Sequence, residues 1–203
     1  KSIIQLCKEL EAGLPINCIH NIPQTVYLAK EQDIEGGIME DDIVLHSHEQ
    51  CLQNKKAEAE NYRHIEEESN KIHAQRLLQQ VGNMYAVVNP PYPTMATEEL
   101  DAIFDLPYTR LPHPKYKGKK LPAYEMIKFS INMHQGCFGG CAFCTISAHQ
   151  GKFVACRSKK SIVNEAKKIT QMPDFKGYLS DLGGPSANMY GMHGRNLKAC
   201  ERC

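Results

Sequence analysis

Three cysteines lie close together in a glycine-rich stretch of the sequence. Cys137, Cys141 and Cys144 are separated by three and then two residues. Thiolates at this spacing on one loop can converge on a single soft metal centre, and thiolates are the usual ligands of iron–sulfur clusters. Gly139 and Gly140 lie between the first two cysteines, where they permit a tight turn and a close approach of the backbone to such a centre. The pattern favours a [4Fe–4S] cluster on this loop.

A set of three cysteines would leave one iron of a four-iron cluster without a protein ligand. An open coordination position is typical of a catalytic metal site, whereas structural sites are closed. A structural zinc site is the main alternative, because His134, His149 or Cys156 would add a fourth ligand to the three thiolates. A disulfide within the loop is disfavoured, since it would leave one thiol over. A catalytic thiol is disfavoured too, because such a site has no use for three cysteines.

The overall composition narrows the class of protein. The chain has 203 residues, enough for one domain or two small ones, and a net charge of +1 from 24 basic and 23 acidic residues. This balance gives no reason to expect nucleic acid or a membrane surface as a partner. No apolar run approaches the roughly 20 residues of a membrane-spanning helix, and no secretory signal is visible. The nine cysteines are an odd number that fits metal binding in a reducing compartment, so we expect a cytoplasmic protein.

The segments on either side of the cysteine loop predict the elements that would position it. Residues 127–133 have the alternation of a strand, residues 161–172 have one apolar helical face, and residues 178–182 have the composition of a second strand. The order strand, helix, strand predicts a βαβ unit with a parallel pair of strands.

The chain before residue 124 has a different character. We predict a helix over residues 2–12 and a strand within residues 22–29. A helix should begin at Ser47, which forms a capping box with Gln50, and run to about residue 72. A strand over residues 85–88 and a short helix over residues 97–104, capped by Thr97, complete the prediction. The proline-rich and basic stretch from 106 to 122 resembles an extended connector.

Five segments of this sequence resemble the YgiQ family of radical S-adenosylmethionine (radical SAM) proteins. The cysteine motif, with Phe143 before its last cysteine, resembles the radical SAM signature. The segments are NPPYP (89–93), LPYTRLPHP (106–114), GCFGGCAFC (136–144), TISAHQGK (145–152) and SDLGGPSANMY (180–190). The resemblance is most specific between residues 85 and 190.

The resemblance implies an α/β fold with two parts. Residues 124–203 would form the opening part of a radical SAM (β/α) partial barrel. Residues 1–123 would be the C-terminal part of the family's N-terminal α/β domain, with its connector. Both ends of the sequence read as cuts through a longer protein, so we expect a fragment that is inactive by itself.

The resemblance also implies an enzymatic activity. Cys137, Cys141 and Cys144 would bind a [4Fe–4S] cluster that cleaves S-adenosylmethionine reductively and generates a 5′-deoxyadenosyl radical. An electron donor such as a flavodoxin or ferredoxin would reduce the cluster. The substrate and the catalytic residues are not identified, and Cys200 and Cys203 form a second pair without an assigned role.

Three further residues are implied to contact S-adenosylmethionine. Gly183 and Gly184 occupy the place where the superfamily binds the methionyl amino group, although Pro185 stands where an acidic residue is usual. Phe143 would pack near the adenine. A plain strand-ending turn and ordinary core packing are the respective alternatives. For the whole chain, the alternative is a non-catalytic iron–sulfur or zinc protein in which the cysteine loop is structural.

Overall fold

The computed structural model describes residues 1–185 and 187–200. Two units are distinguished by their internal contacts: residues 1–93 together with the segment from residue 196, and residues 94–195. Cys203 lies outside the described residues, so its pairing with Cys200 stays unassigned. The domain boundary predicted near residue 123 also stays a prediction.

A four-stranded mixed sheet forms the centre of the first unit. The elements of this unit are α1 (Ser2–Glu11), β1 (Val26–Ala29), β2 (Ile43–Leu45), α2 (His48–Gln53), α3 (Lys55–Ser69), β3 (Leu77–Val81) and β4 (Met84–Val88), with 3₁₀ turns at Ile16–Cys18 and Glu31–Asp33. The strand order of the sheet is β1-β4-β3-β2, with antiparallel pairs β1–β4 and β4–β3 and a parallel pair β3–β2. Helix α8 (Leu197–Cys200) groups with this unit.

Apolar side chains from one face of this sheet make the core of the first unit. Ala29, Leu78 and Val87 pack with Ile34, and Leu78 and Val87 are fully buried. The sheet therefore gains its stability mainly from the removal of apolar surface from water.

The helix predicted from residue 47 to about 72 is two helices. Its capping box is confirmed, because Ser47 and Gln50 bond each other's backbone N–H groups. At Asn54 the backbone turns to an extended conformation, and the Asn54 side chain accepts a hydrogen bond from the Lys56 N–H at 3.0 Å. An asparagine that can cap a new helix thus ends the first one.

The second unit contains the predicted βαβ arrangement. Strands β5 (Ser130–Asn132) and β8 (Asp181–Gly183) are parallel, and α7 (Lys159–Thr170) lies between them in sequence. The other elements are α4 (Thr97–Phe104), a 3₁₀ turn at Pro114–Tyr116, α5 (Pro122–Ile127), β6 (His134–Gln135), α6 (Ile146–Gln150) and β7 (Ala155–Cys156). The core contains Phe129, Ile131, Met133, Ile162 and Ile169.

Several details of the sequence prediction for this unit were wrong. The strand expected over residues 178–182 is Asp181–Gly183, and the helix expected over residues 161–172 is Lys159–Thr170. The strand expected to begin at residue 127 begins at Ser130, because Pro122, favoured in the first turn of a helix, starts α5. The N-cap of α4 is Ala96 rather than Thr97, and the Glu99 side chain accepts from the Ala96 N–H at 3.1 Å.

The fold class of the described residues is mixed α/β, as predicted. Within these residues the parallel sheet of the second unit has two strands, so the partial barrel stays a prediction. Among the helices that the structure describes, none is long and apolar enough to cross a membrane.

Candidate metal centre

The cysteine loop is closed at its base by a short antiparallel ladder. His134 pairs with Cys156, and Gln135 pairs with Ala155. Within the loop that this ladder closes, the Cys137 N–H donates to the Gly151 carbonyl at 3.0 Å. The segment from 136 to 154 is therefore a closed loop that begins directly after β6, which Met133 alone separates from β5.

Gly136 permits this closure. Its φ of +86° is in the left-handed region, and a Cβ at this position would overlap the backbone carbonyl of Phe153. Only glycine allows both the conformation and the close approach of the two chain segments. Of the two glycines that the sequence pattern indicates for a tight turn, Gly139 and Gly140, Gly140 has a positive φ of +60°.

Two of the three cysteine sulfurs lie beside Gly139. An ideal Cβ built on Gly139 would be 3.4 Å from Cys137 Sγ and 3.6 Å from Cys141 Sγ. A short turn brings the third cysteine back toward the second, because the Cys144 N–H donates to the Cys141 carbonyl at 2.9 Å. Cys137 is buried, Cys141 is exposed and Cys144 is partly buried.

The loop supplies thiol ligands but not a completed coordination geometry. Within residues 1–185 and 187–200, no three His, Cys, Asp or Glu side chains are arranged to hold a metal ion. The donor set still fits an iron–sulfur cluster in its chemistry, because three cysteines share one closed loop and two of their sulfurs flank a single glycine.

Strand β8 ends next to the base of the cysteine loop. Gly183 pairs with Asn132, and its carbonyl accepts from the Met133 N–H at 2.7 Å. A Cβ at Gly184 would overlap the imidazole ring of His134. Packing against His134 therefore requires glycine at position 184. The predicted contacts of Gly183 and Gly184 with S-adenosylmethionine stay predictions.

His134 lies at the centre of this junction and is 1% exposed. Burial lowers its pKa, so the ring is neutral near neutral pH. Its Nε2 accepts a hydrogen bond from the Met189 N–H at 3.0 Å, which assigns the ring proton to Nδ1. The sequence indicates His134 only as an alternative fourth zinc ligand, and no local pattern in it predicts this contact.

The other two alternative zinc ligands have ordinary surroundings. The Cys156 sulfur accepts from the Gly191 N–H at 3.2 Å. His149 is exposed on α6. The Phe143 ring is 91% exposed, so it does not pack in the core, and its predicted contact with adenine stays a prediction.

A buried charge network supports the end of β5. The carboxylate of Glu165 on α7 pairs with both Arg110 and Arg157. Arg157 also donates to the Asn132 carbonyl at 2.8 Å, and Arg110 donates to the Ser130 carbonyl at 2.8 Å. Two guanidinium groups that share one carboxylate therefore fix carbonyl groups of β5, the strand that leads into the base of the cysteine loop.

More contacts enclose the Arg157 side chain, which is fully buried. Its guanidinium lies 4.3 Å from the centre of the Phe104 ring and donates to Ser161 Oγ at 2.8 Å. Ser161 Oγ in turn donates to Asp105 Oδ1 at 3.0 Å. The sequence does not predict this network, because residues 104, 110, 157 and 165 meet only after the chain has folded.

Comparisons with known proteins agree on a family. The family described as "Radical SAM N-terminal" matches residues 1–130. A UPF0313 protein of Bacteroides thetaiotaomicron is 59% identical over 100% of this chain and 34% of its own length. A UPF0313 protein of Porphyromonas gingivalis is 56% identical over 98% of the chain and 31% of its own length.

A third relative carries a more specific name. The UPF0313 protein YgiQ of Salmonella typhimurium is 45% identical over 79% of this chain and 22% of its own length. The chain thus spans about a third or less of the length of these curated relatives. No solved structure matches the chain.

Proposed function

This chain belongs to the YgiQ (UPF0313) family of radical SAM proteins, and on that premise we propose that Cys137, Cys141 and Cys144 bind the [4Fe–4S] cluster of a radical SAM enzyme. When bound, the cluster would supply one electron that breaks a C–S bond of S-adenosylmethionine, giving methionine and a 5′-deoxyadenosyl radical.

The observation that carries the proposal is the position of the thiols. The sulfurs of Cys137 and Cys141 flank Gly139 on a loop that follows the carboxyl end of β5. Open α/β sheets bind their ligands beyond the carboxyl ends of parallel strands. Because β8 ends at Gly183, beside β5, both proposed cofactor glycines lie at this same end.

The protein's own residues would hold and shield the cofactors. The three thiolates would bind iron, and the exposed Cys141 would leave the cluster approachable from solvent. Phe143 is exposed and would be available to stack on adenine. Gly183 and Gly184 would allow the methionyl group to approach the backbone.

The remaining assignments belong to the same proposal. Residues 124–203 would open a (β/α) partial barrel, and residues 1–123 would belong to the preceding domain. An electron donor such as a flavodoxin or ferredoxin would deliver the electron. A reducing, cytoplasmic compartment would keep the three thiols available for iron.

The test is the formation of 5′-deoxyadenosine by the full-length parent protein, because the chain of 203 residues is expected to be inactive by itself. The parent protein is reconstituted anaerobically and reduced before the assay. We expect Cys137→Ala, Cys141→Ala and Cys144→Ala each to abolish it, because each removes a cluster ligand. Cys7→Ala and Cys18→Ala are matched controls at exposed cysteines in the first unit, and both should retain activity. Full product formation by any variant of the three would contradict the proposal.

A further inference from the structure

The segment that follows β8 returns over the base of the cysteine loop. Three hydrogen bonds join residues 187–192, here the return segment, to residues 134, 156 and 157 of the second unit. The Met189 N–H donates to His134 Nε2 at 3.0 Å, Tyr190 Oη donates to the Arg157 carbonyl at 2.9 Å, and the Gly191 N–H donates to Cys156 Sγ at 3.2 Å. All three acceptors lie on or immediately beside the β6–β7 ladder.

Met189 connects this return segment with the thiols. It is 9% exposed, and its methyl group lies 3.9 Å from the position of an ideal Cβ on Gly139. The sulfurs of Cys137 and Cys141 flank that same position. The hydrogen bond from Met189 to His134 therefore sets how closely the return segment approaches the two thiols.

His134 also contacts the other side of the proposed cofactor site. Its ring fills the space in which a Cβ of Gly184 would lie. One buried imidazole thus contacts the end of β8 by packing and the return segment by hydrogen bonding. Gly184 and Met189, which are five positions apart in the sequence, therefore both contact the His134 ring.

We propose that His134 is a positioning residue for S-adenosylmethionine, which fixes Gly184 and Met189 relative to the cysteine loop. This inference rests on the proposed function. His134 acts through its neighbours: the ring accepts the Met189 N–H and limits the approach of the Gly184 backbone. A neutral ring is required for the acceptor role, since a protonated imidazole has no acceptor atom.

The experiment compares His134→Leu with His134→Gln. Leucine has a similar volume and no acceptor, whereas the glutamine side-chain oxygen can reach the place of Nε2 and accept from Met189. For each reconstituted protein, iron and sulfide are measured first. The dissociation constant for S-adenosylmethionine is then measured by the change that its binding causes in the electron paramagnetic resonance spectrum of the reduced cluster.

We expect both variants to hold the cluster, and we expect His134→Leu to bind S-adenosylmethionine about tenfold more weakly, the effect of leaving one buried donor unpaired. His134→Gln should stay within about twofold of the wild type, because the hydrogen bond is retained. If only His134→Gln binds the cluster, its affinity for S-adenosylmethionine decides. Wild-type affinity in that variant supports the positioning role, and a tenfold loss of affinity contradicts it.

Two other outcomes separate the inference from its premise. If His134→Leu holds full cluster and binds S-adenosylmethionine as tightly as the wild type, His134 has no positioning role. If neither variant loads while the wild type does, the ring serves loop folding and the inference is overturned. If the wild-type protein itself contains no iron and sulfide after reconstitution, the proposed function is contradicted instead.

Discussion

The sheet of the first unit and the cysteine-loop region of the second unit are stabilised by different groups. In the sheet the fully buried side chains are apolar, Leu78 and Val87. Around the cysteine loop they include a histidine and an arginine, His134 and Arg157, which are each 1% exposed. Apolar side chains can be buried in many arrangements, because the hydrophobic effect has no direction. A buried hydrogen-bonding group, by contrast, needs its partner atom at a defined distance and angle. The loop region is therefore the part whose geometry depends on individual polar contacts.

The largest expected loss of stability follows from removing the charge of Glu165. Glu165→Gln leaves Arg110 and the buried Arg157 without their carboxylate. Breaking a buried ion pair on one side typically costs about 3–5 kcal/mol. We expect a loss of this size in the free energy of unfolding of the second unit, measured by urea denaturation.

The matched control is an exposed glutamate in the first unit. Glu67 lies 4.0 Å from Arg63, and both side chains are more than half exposed. Glu67→Gln should cost less than about 1 kcal/mol. Equal losses for Glu67→Gln and Glu165→Gln would show that the charge network does not distinguish the two regions.

A smaller effect is expected from two glycines of the cysteine loop. Gly136 and Gly140 both have positive φ values, of +86° and +60°, but only a Cβ on Gly136 would overlap other backbone atoms. Gly140→Ala should cost about 1–2 kcal/mol, the strain of a left-handed alanine. Gly136→Ala should cost more, because Phe153 must move and the hydrogen bond from Cys137 to Gly151 opens.

Iron content separates these two variants. After identical anaerobic reconstitution, Gly136→Ala should hold less iron than Gly140→Ala, because only the former displaces the base of the loop. Similar iron contents would mean that the close approach at Gly136 does not control the arrangement of the thiols.

The mildest effect is a pH dependence in the first unit. The carboxylate of Asp42 accepts two hydrogen bonds from Arg76, at 2.9 and 2.7 Å. Burial raises the pKa of Asp42, but the hydrogen bonds from Arg76 and from the Met39 N–H bring it below its usual 3.8. As the pH falls, the Asp42 carboxylate is therefore protonated at a higher pH in the unfolded state than in the folded state.

The sign of the pH effect follows from that difference. The contribution of Asp42 to stability is fully present above its unfolded pKa and is lost as the pH falls through the folded pKa. The free energy of unfolding is measured for the wild type and for Asp42→Asn from pH 6 down to about pH 2. The difference between the two proteins should become smaller as the pH falls. A constant gap would contradict the lowered pKa.

The sequence predicted the elements that have a regular apolar pattern. The apolar residues Ile162, Val163, Ala166 and Ile169 predict helix α7. Ile162, Ala166 and Ile169 pack at or against the core, whereas Val163 is half exposed. The parallel pairing of β5 and β8 followed from the order of elements. Strand β3 was missed because Leu77–Val81 has no alternation, although the Gly82-Asn83 pair after it is a hairpin signal.

The surroundings of the cysteines were harder to predict than the cysteines themselves. The motif identified the three thiols by spacing alone. Strands β6 and β7 have two residues each and form only because the ends of the loop meet, so no local pattern indicates them. The contacts from His134 to Gly184 and Met189 cross more than 45 positions of sequence, a separation at which residue spacing gives no information.

The central claim is that Cys137, Cys141 and Cys144 hold a [4Fe–4S] cluster. The most direct test compares iron and acid-labile sulfide in the wild type and in a variant with all three cysteines changed to alanine, after identical anaerobic reconstitution. The account predicts that the wild type holds about four more irons and four more sulfides per chain than the variant. Equal iron and sulfide in the two proteins, or stoichiometric zinc without sulfide in the wild type, would contradict it.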